Sequence, residues 1–196
     1  MATKLTLDDI ADLRAYERER DEFRDRVIAL KKKRRIGVGP VVTLVFENRD
    51  TVRFQIQEMA RAERMLTDEA IQTELDVYNP LIPGPGELSA TMFIELTSKD
   101  ALMDWLPKLV GIERAVDLRL GDGSVVRSIP EAAHAAQLTR EEITASVHYV
   151  RFDLDPAQVE AFATGPVTLA VDHPAYQETT ALSPETVAEL LADLKG

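Results

Sequence analysis

"AVDLRLGDGSVVRSI", Ala115 to Ile129, is the stretch on which the fold turns. It reads as a hairpin reversing through Gly121-Asp122-Gly123. Four more segments read as strands: "PVVTLVFEN" (Pro40 to Asn48), "LSATMFIEL" (Leu88 to Leu96), "ITASVHYVRFDL" (Ile143 to Leu154) and "PVTLAVDH" (Pro166 to His173). Helices fall between them. Thr6 caps a first turn carrying Leu7, Ile10 and Leu13, and a second helix is expected from about Arg18 to Arg34 with Phe23, Val27 and Leu30 on one stripe. Asp50 is expected to cap a helix running to about Met65, and Thr67 one running to about Tyr78. "SKDALMDWLPKLVG" is a helix interrupted at Pro107, while "DPAQVEAFATG" and "SPETVAELLADLKG" each open on a cap followed by proline. The hairpin and the irregular succession of αβ and ββ steps predict an α+β protein, with a mainly antiparallel sheet of about six strands and packed helices. One domain spanning 1–196 is expected, with residues 1–35 as an N-terminal helical arm on an α+β body of 36–196.

Composition removes several function classes. The chain has 196 residues, is 45% hydrophobic and contains no cysteine, which excludes disulfides, thiolate chemistry, zinc ribbons and protein-ligated iron–sulfur clusters. No apolar run approaches the roughly 20 residues of a membrane span, and the N-terminus lacks a signal-peptide pattern, so a cytoplasmic protein is expected. The net charge of −11 argues against nucleic-acid binding. Residues 1–35 hold 11 of the 23 basic side chains and only 8 of the 34 acidic ones. The basic run "KKKRR", Lys31 to Arg35, suits the negative end of a helix dipole and has no aromatic stacking pattern beside it.

The candidate site begins from "QIQEMARAERMLTDEAIQTELDVYNPLIP", Gln55 to Pro83. Helical spacing places Glu63 on the stripe of Val52, Ile56, Met59 and Leu66, and Glu74 on the face of Ile71, Leu75 and Tyr78. Glu58 and Glu69 are expected to face solvent. A carboxylate aimed at a core needs a partner. Alternation in "SVHYVRFDL" puts His148 with Val150 and Phe152, opposite Tyr149 and Arg151, and His173 shares a face with Val167, Leu169 and Val171. Glu63, Glu74, His148 and His173 would suit a divalent metal such as iron, manganese or zinc, if the fold gathers them. Against a metal, Arg53, Arg61, Arg64 and Arg151 can satisfy carboxylates directly. Arg61 and Arg151 are also candidates for holding a small organic anion. Glu95 reads as an end-of-strand salt bridge, Tyr78 and Asn79 as the start of a loop that could form a binding edge, and His134 as an ordinary helix or loop residue.

Several segments together resemble a family of uncharacterised bacterial proteins known only as a domain of unknown function: "LTLDDIADLRAYERERDEFRDRVIALKKKRR", "LVFENRDTVRFQIQEMARAERM", "ELDVYNPLIP", "ATMFIEL", "SVHYVRFDL" and "VDHPAY". The resemblance implies genes for rubrerythrin-like proteins and iron–sulfur oxidoreductases nearby. It thereby implies those redox proteins as partners and a role in oxidative-stress or electron-transfer metabolism, either as an accessory protein or as a non-catalytic interaction subunit. It supplies no catalytic residues.

Overall fold

The hairpin forms as read, and its two strands pair Asp117 with Arg127 across the ladder. Arg127 grips the buried Asp117 carboxylate bidentately, at 2.9 and 3.0 Å. A computed structural model describes residues 4–131 and 143–196, so His134 lies outside the described residues. Among these, the element order is α1 (Leu13–Arg34), β1 (Arg35–Val38), β2 (Val42–Glu47), α2 (Arg49–Glu63), α3 (Asp68–Tyr78) and β3 (Glu87–Ile94). Then come α4 (Lys99–Trp105), β4 (Val116–Leu120), β5 (Val125–Arg127), β6 (Ile129–Pro130), β7 (Val147–Asp153), α5 (Pro156–Thr164), β8 (Val167–His173), β9 (Tyr176–Ala181) and α6 (Pro184–Lys195). No helix among the described residues is long and apolar enough to cross a membrane.

The protein is α+β and every strand pairing is antiparallel. Among the described residues the strands number nine rather than about six, and they form two sheets, ordered β1-β2-β3-β7-β6 and β5-β4-β8-β9. The additional strands are short or polar. β1 is "RIGV", β6 is two residues long, and β9, "YQETTA", lies at a sheet edge with most of its side chains exposed. An edge strand with a wet face carries little hydrophobic pattern to read.

Apolar faces of both sheets meet in one continuous core, including Leu44, Phe46, Met92 and Phe152 from the first sheet and Leu118 and Leu169 from the second. At one side the sheet edges are stitched together. The Tyr176 hydroxyl donates to Val38 O at 2.6 Å and accepts from Val41 N–H at 3.2 Å, and Thr180 donates to Gly37 O at 2.7 Å. Gly39 makes that approach possible, since its φ of +70° is left-handed and a Cβ there would fall 2.5 Å from the Tyr176 hydroxyl.

Helix starts differ locally from expectation. Leu7–Asp9 form only a single 3-10 turn, and α1 starts at Leu13, where the Asp12 carboxylate accepts Ala15 N–H at 2.8 Å. Asn48, not Asp50, caps α2, its side-chain oxygen accepting the N–H groups of Asp50 and Thr51 at 3.0 Å each. Thr67 caps α3 as read. α4 ends at Trp105, and Leu106 keeps right-handed helical backbone even though Pro107 follows it.

Three residues of the basic run at the end of α1 pair with carboxylates of the same molecule. Arg34 is 1% exposed, and its guanidinium bonds Glu189 (2.8 Å) and Asp193 (2.6 Å) on α6. Lys33 reaches Glu185 at 3.4 Å, and Arg35 pairs with Glu95, the strand-end salt bridge expected there. The helical arm is thus clamped to the last helix of the chain. Arg34→Met should cost about 3–5 kcal/mol in denaturant unfolding, because it strands two carboxylates against each other. Replacing all three charges, with Glu189→Leu and Asp193→Leu added, should recover most of that loss.

Candidate functional site

The opposite face of the five-stranded sheet carries the site. Cross-strand register aligns Arg35, Val45, Thr91 and Tyr149 in one row, with Thr43, Phe93 and Val147 in the next. Helices α2 and α3 lie over this face through a small core of Val52, Ile56, Leu75, Leu81 and Ile82, against which Tyr78 and Tyr149 pack. The helices do not close completely on the sheet. A cavity of roughly 320 Å³ remains, lined chiefly by apolar surface and reached by Lys31, Arg35, Glu47, Gln55, Tyr78 and Tyr149.

Glu47 is its most distinctive group. It ends β2 and is buried, yet no Lys or Arg nitrogen lies within 4 Å of it among the described residues. Two hydroxyls answer it instead: Thr91 donates to Oε1 at 2.6 Å, and Thr51 donates to Oε2. Each oxygen accepts one hydroxyl hydrogen bond and retains a further lone pair. The N-terminus of α2, which starts two residues later, adds the favourable end of a helix dipole. Burial pushes the Tyr149 hydroxyl up to about 12, helped by the neighbouring Tyr78 and the negative charge of Glu47. Tyr149 therefore enters the cavity as a neutral phenol.

The loop after Tyr78 borders the cavity. Leu81 lines the cavity, and the chain there is pinned by Lys4, whose ammonium donates to Asn79 O (2.9 Å) and Ile82 O (2.7 Å). Asn79 completes the anchor with two hydrogen bonds to the Leu5 backbone, at 2.8 and 2.9 Å.

The four residues considered for a metal do not converge. No group of three or more His, Asp or Glu among the described residues is placed to hold a metal ion. Glu63 is exposed at the end of α2, because α2 buries the face of Thr51, Val52, Ile56 and Ala60 and unwinds at Arg64. Glu74 is half-buried, and its carboxyl is held above the usual range by burial and then by the charge of Glu63. The histidines face the other core. His173 Nε2 donates to Val110 O at 3.1 Å while Nδ1 accepts Ala175 N–H at 3.2 Å, so both ring nitrogens are spent. His148 Nε2 lies 2.9 Å from Ala145 O, a partner that can only accept, and 2.8 Å from Thr144 Oγ1. Burial lowers its pKa, opposed by the nearby Glu113. Arg61 is taken by Glu17, and Arg151 by Asp153 at 2.6 and 3.0 Å, both at exposed positions.

Glu58, expected in solvent, is the carboxylate that an arginine answers. Arg20 forks it at 2.8 and 2.9 Å, and the buried Tyr16 hydroxyl donates at 2.8 Å. Two further groups escaped sequence reasoning. Alternation in β2 could have placed Glu47 with Thr43 and Val45, on the face away from Leu44 and Phe46. Glu113, buried in a short turn with its Oε2 unpartnered among the described residues, gave no pattern at all.

Residues 4–194 match the family described as "Protein of unknown function (DUF3501)". The chain belongs to the DUF3501 family. A crystal structure of a protein of unknown function from Burkholderia pseudomallei K96243 is similar over 98% of this chain and 100% of that one, with 37% identity and a TM-score of 0.90. No curated protein sequence matches. The DUF3501 fold is thus shared at full length by a relative whose function is equally open.

Hydrogen bonding by Arg20 holds the Glu58 carboxyl below its ordinary value of 4.5, against the opposing effect of burial. The stability it contributes is fully present above that value and is lost as pH falls through the lower folded value. Glu58→Gln should therefore cost about 1–2 kcal/mol at neutral pH. The gap to the parent should close on acidification below about pH 4, as read by urea midpoints across pH. Glu74→Gln should behave in the opposite sense. It should raise the Tm at neutral pH, an advantage that fades as pH falls through the elevated Glu74 value.

Proposed function

We propose that this protein binds a small organic molecule in the cavity between the outer face of its five-stranded sheet and helices α1 to α3. The observation that carries this reading is a mainly apolar cavity with a buried carboxylate, Glu47, at its wall. Its volume falls at the lower end of ligand pockets, and its few converging polar groups among apolar walls match their composition. The polar groups differ in kind: an acid, two phenols, an amide and two cations. Such a set orients a ligand rather than merely solvating a cleft.

The test is a thermal-shift screen of small organic compounds, followed by chemical-shift mapping. At least one compound should stabilise the protein saturably, by about 2–3 kcal/mol at a hundredfold excess over its Kd. Its contacts should map to Val45, Thr91 and Tyr149. Val147→Trp, which fills the cavity from β7, should abolish that shift while leaving the circular dichroism unchanged. A flat screen with the parent protein, or a shift that survives Val147→Trp, would overturn the reading.

A further inference from the structure

Charges inside the cavity specify more than its shape does. Glu47 and Lys31 both line it, yet they do not pair with each other, since no Lys or Arg nitrogen approaches Glu47 within 4 Å among the described residues. Nor does a carboxylate pair with Lys31 there; its ammonium rests 6.0 Å from the centre of the Phe54 ring, a weak contact at that distance. Arg35, the other cation of the lining, is already matched by Glu95. One cavity therefore holds an acidic and a basic side chain, each without an ionic partner among the described residues.

The cost of this arrangement points to a ligand. Hydroxyl hydrogen bonds hold the Glu47 carboxyl in place without supplying an opposite charge, and no carboxylate stands beside the half-buried Lys31 among the described residues. A purely cationic ligand would satisfy Glu47 and meet repulsion from Lys31. A purely anionic one would do the reverse. A ligand bearing both charges satisfies both groups at once.

On the reading that this cavity binds a small molecule, we infer that its ligand is an apolar amino acid or a close zwitterionic analogue. Its ammonium pairs with Glu47 and its carboxylate with Lys31. The hydrocarbon side chain lies among Val45, Val52 and Phe93, which carry no polar side-chain atom. The Gln55 amide supplies further hydrogen-bonding capacity at the wall.

Three probes separate the charges: L-leucine, isoamylamine, which lacks its carboxylate, and isocaproate, which lacks its ammonium. Calorimetric titration of the full-length protein should show saturable binding of L-leucine, at least about tenfold tighter than either partial analogue. Glu47→Gln, which preserves shape but presents an amide N–H to one of the two threonine hydroxyls, should weaken L-leucine at least about tenfold while leaving isocaproate unaffected. Lys31→Met should weaken L-leucine similarly and leave isoamylamine unaffected. Isoamylamine or isocaproate binding as tightly as L-leucine would overturn the inference. So would failure of L-leucine to bind a protein whose cavity accepts other compounds in the thermal screen, an outcome that leaves the binding reading standing. A protein that binds neither these probes nor any screened compound loses both.

Discussion

A guanidinium with no contact to solvent ties the two ends of this chain together. Arg34 closes α1 and is held by Glu189 and Asp193, successive-turn residues of α6. Burial alone would disfavour the cation, but the two carboxylates more than offset that and raise its pKa above the ordinary arginine value. Geometry follows from the bidentate fork, which fixes direction as well as distance. The next residue begins β1, so the clamp also sets where the first strand enters the five-stranded sheet.

From that anchor the candidate site is assembled by one-sided covering. The inner face of the five-stranded sheet is sealed against the second sheet by a large continuous core. The outer face is covered by helices and by the chain after Tyr78, joined through two smaller clusters, one around Val52 and Leu75 and one around Tyr16 and Phe23. α1 leans on α2 through the edge-on contact of Phe23 with Phe54, and Arg53 lies 4.8 Å over the Phe23 ring. Bridged by ion pairs such as Arg53 with Glu19, this layer stands off the sheet enough to leave the cavity open. Lys31 reaches that cavity because the same helix turn is fixed by Arg34.

Local chemistry in the chain announced most of the elements. The Asp-Pro and Ser-Pro starts, the Thr67 cap and the Gly121-Asp122-Gly123 reversal act within a few residues, so their signals survive in a single sequence. The partition into two sheets does not, because it depends on which strands meet across long separations. Polar pairing was harder still. Spacing selected Glu63 and Glu74 as the carboxylates in need of partners, whereas the fold exposes Glu63 and gives Arg20 to Glu58 across 38 residues. A helix face tells which side chains share a direction and is silent on what stands opposite. His148 and His173 were rightly placed on apolar faces, but the backbone carbonyls that occupy their Nε2 protons leave no trace in the sequence.

The contrast among three carboxylates sharpens what Glu47 does. Glu58 is neutralised by a guanidinium and a phenol, and it locks α1 onto α2. Glu113 keeps one oxygen without a hydrogen-bond partner among the described residues, near His148. Of the three, Glu47 is the one held by a neutral hydroxyl at each oxygen on the wall of the cavity. Hydroxyls can hold a carboxylate in place without cancelling its charge, so the charge remains available across the cavity. A structural role would have been served equally by an arginine or by an uncharged glutamine in its place. Keeping the charge, fixing its direction with Thr51 and Thr91, and leaving a lysine unpaired on the same wall is the arrangement of a site that waits for a complementary molecule.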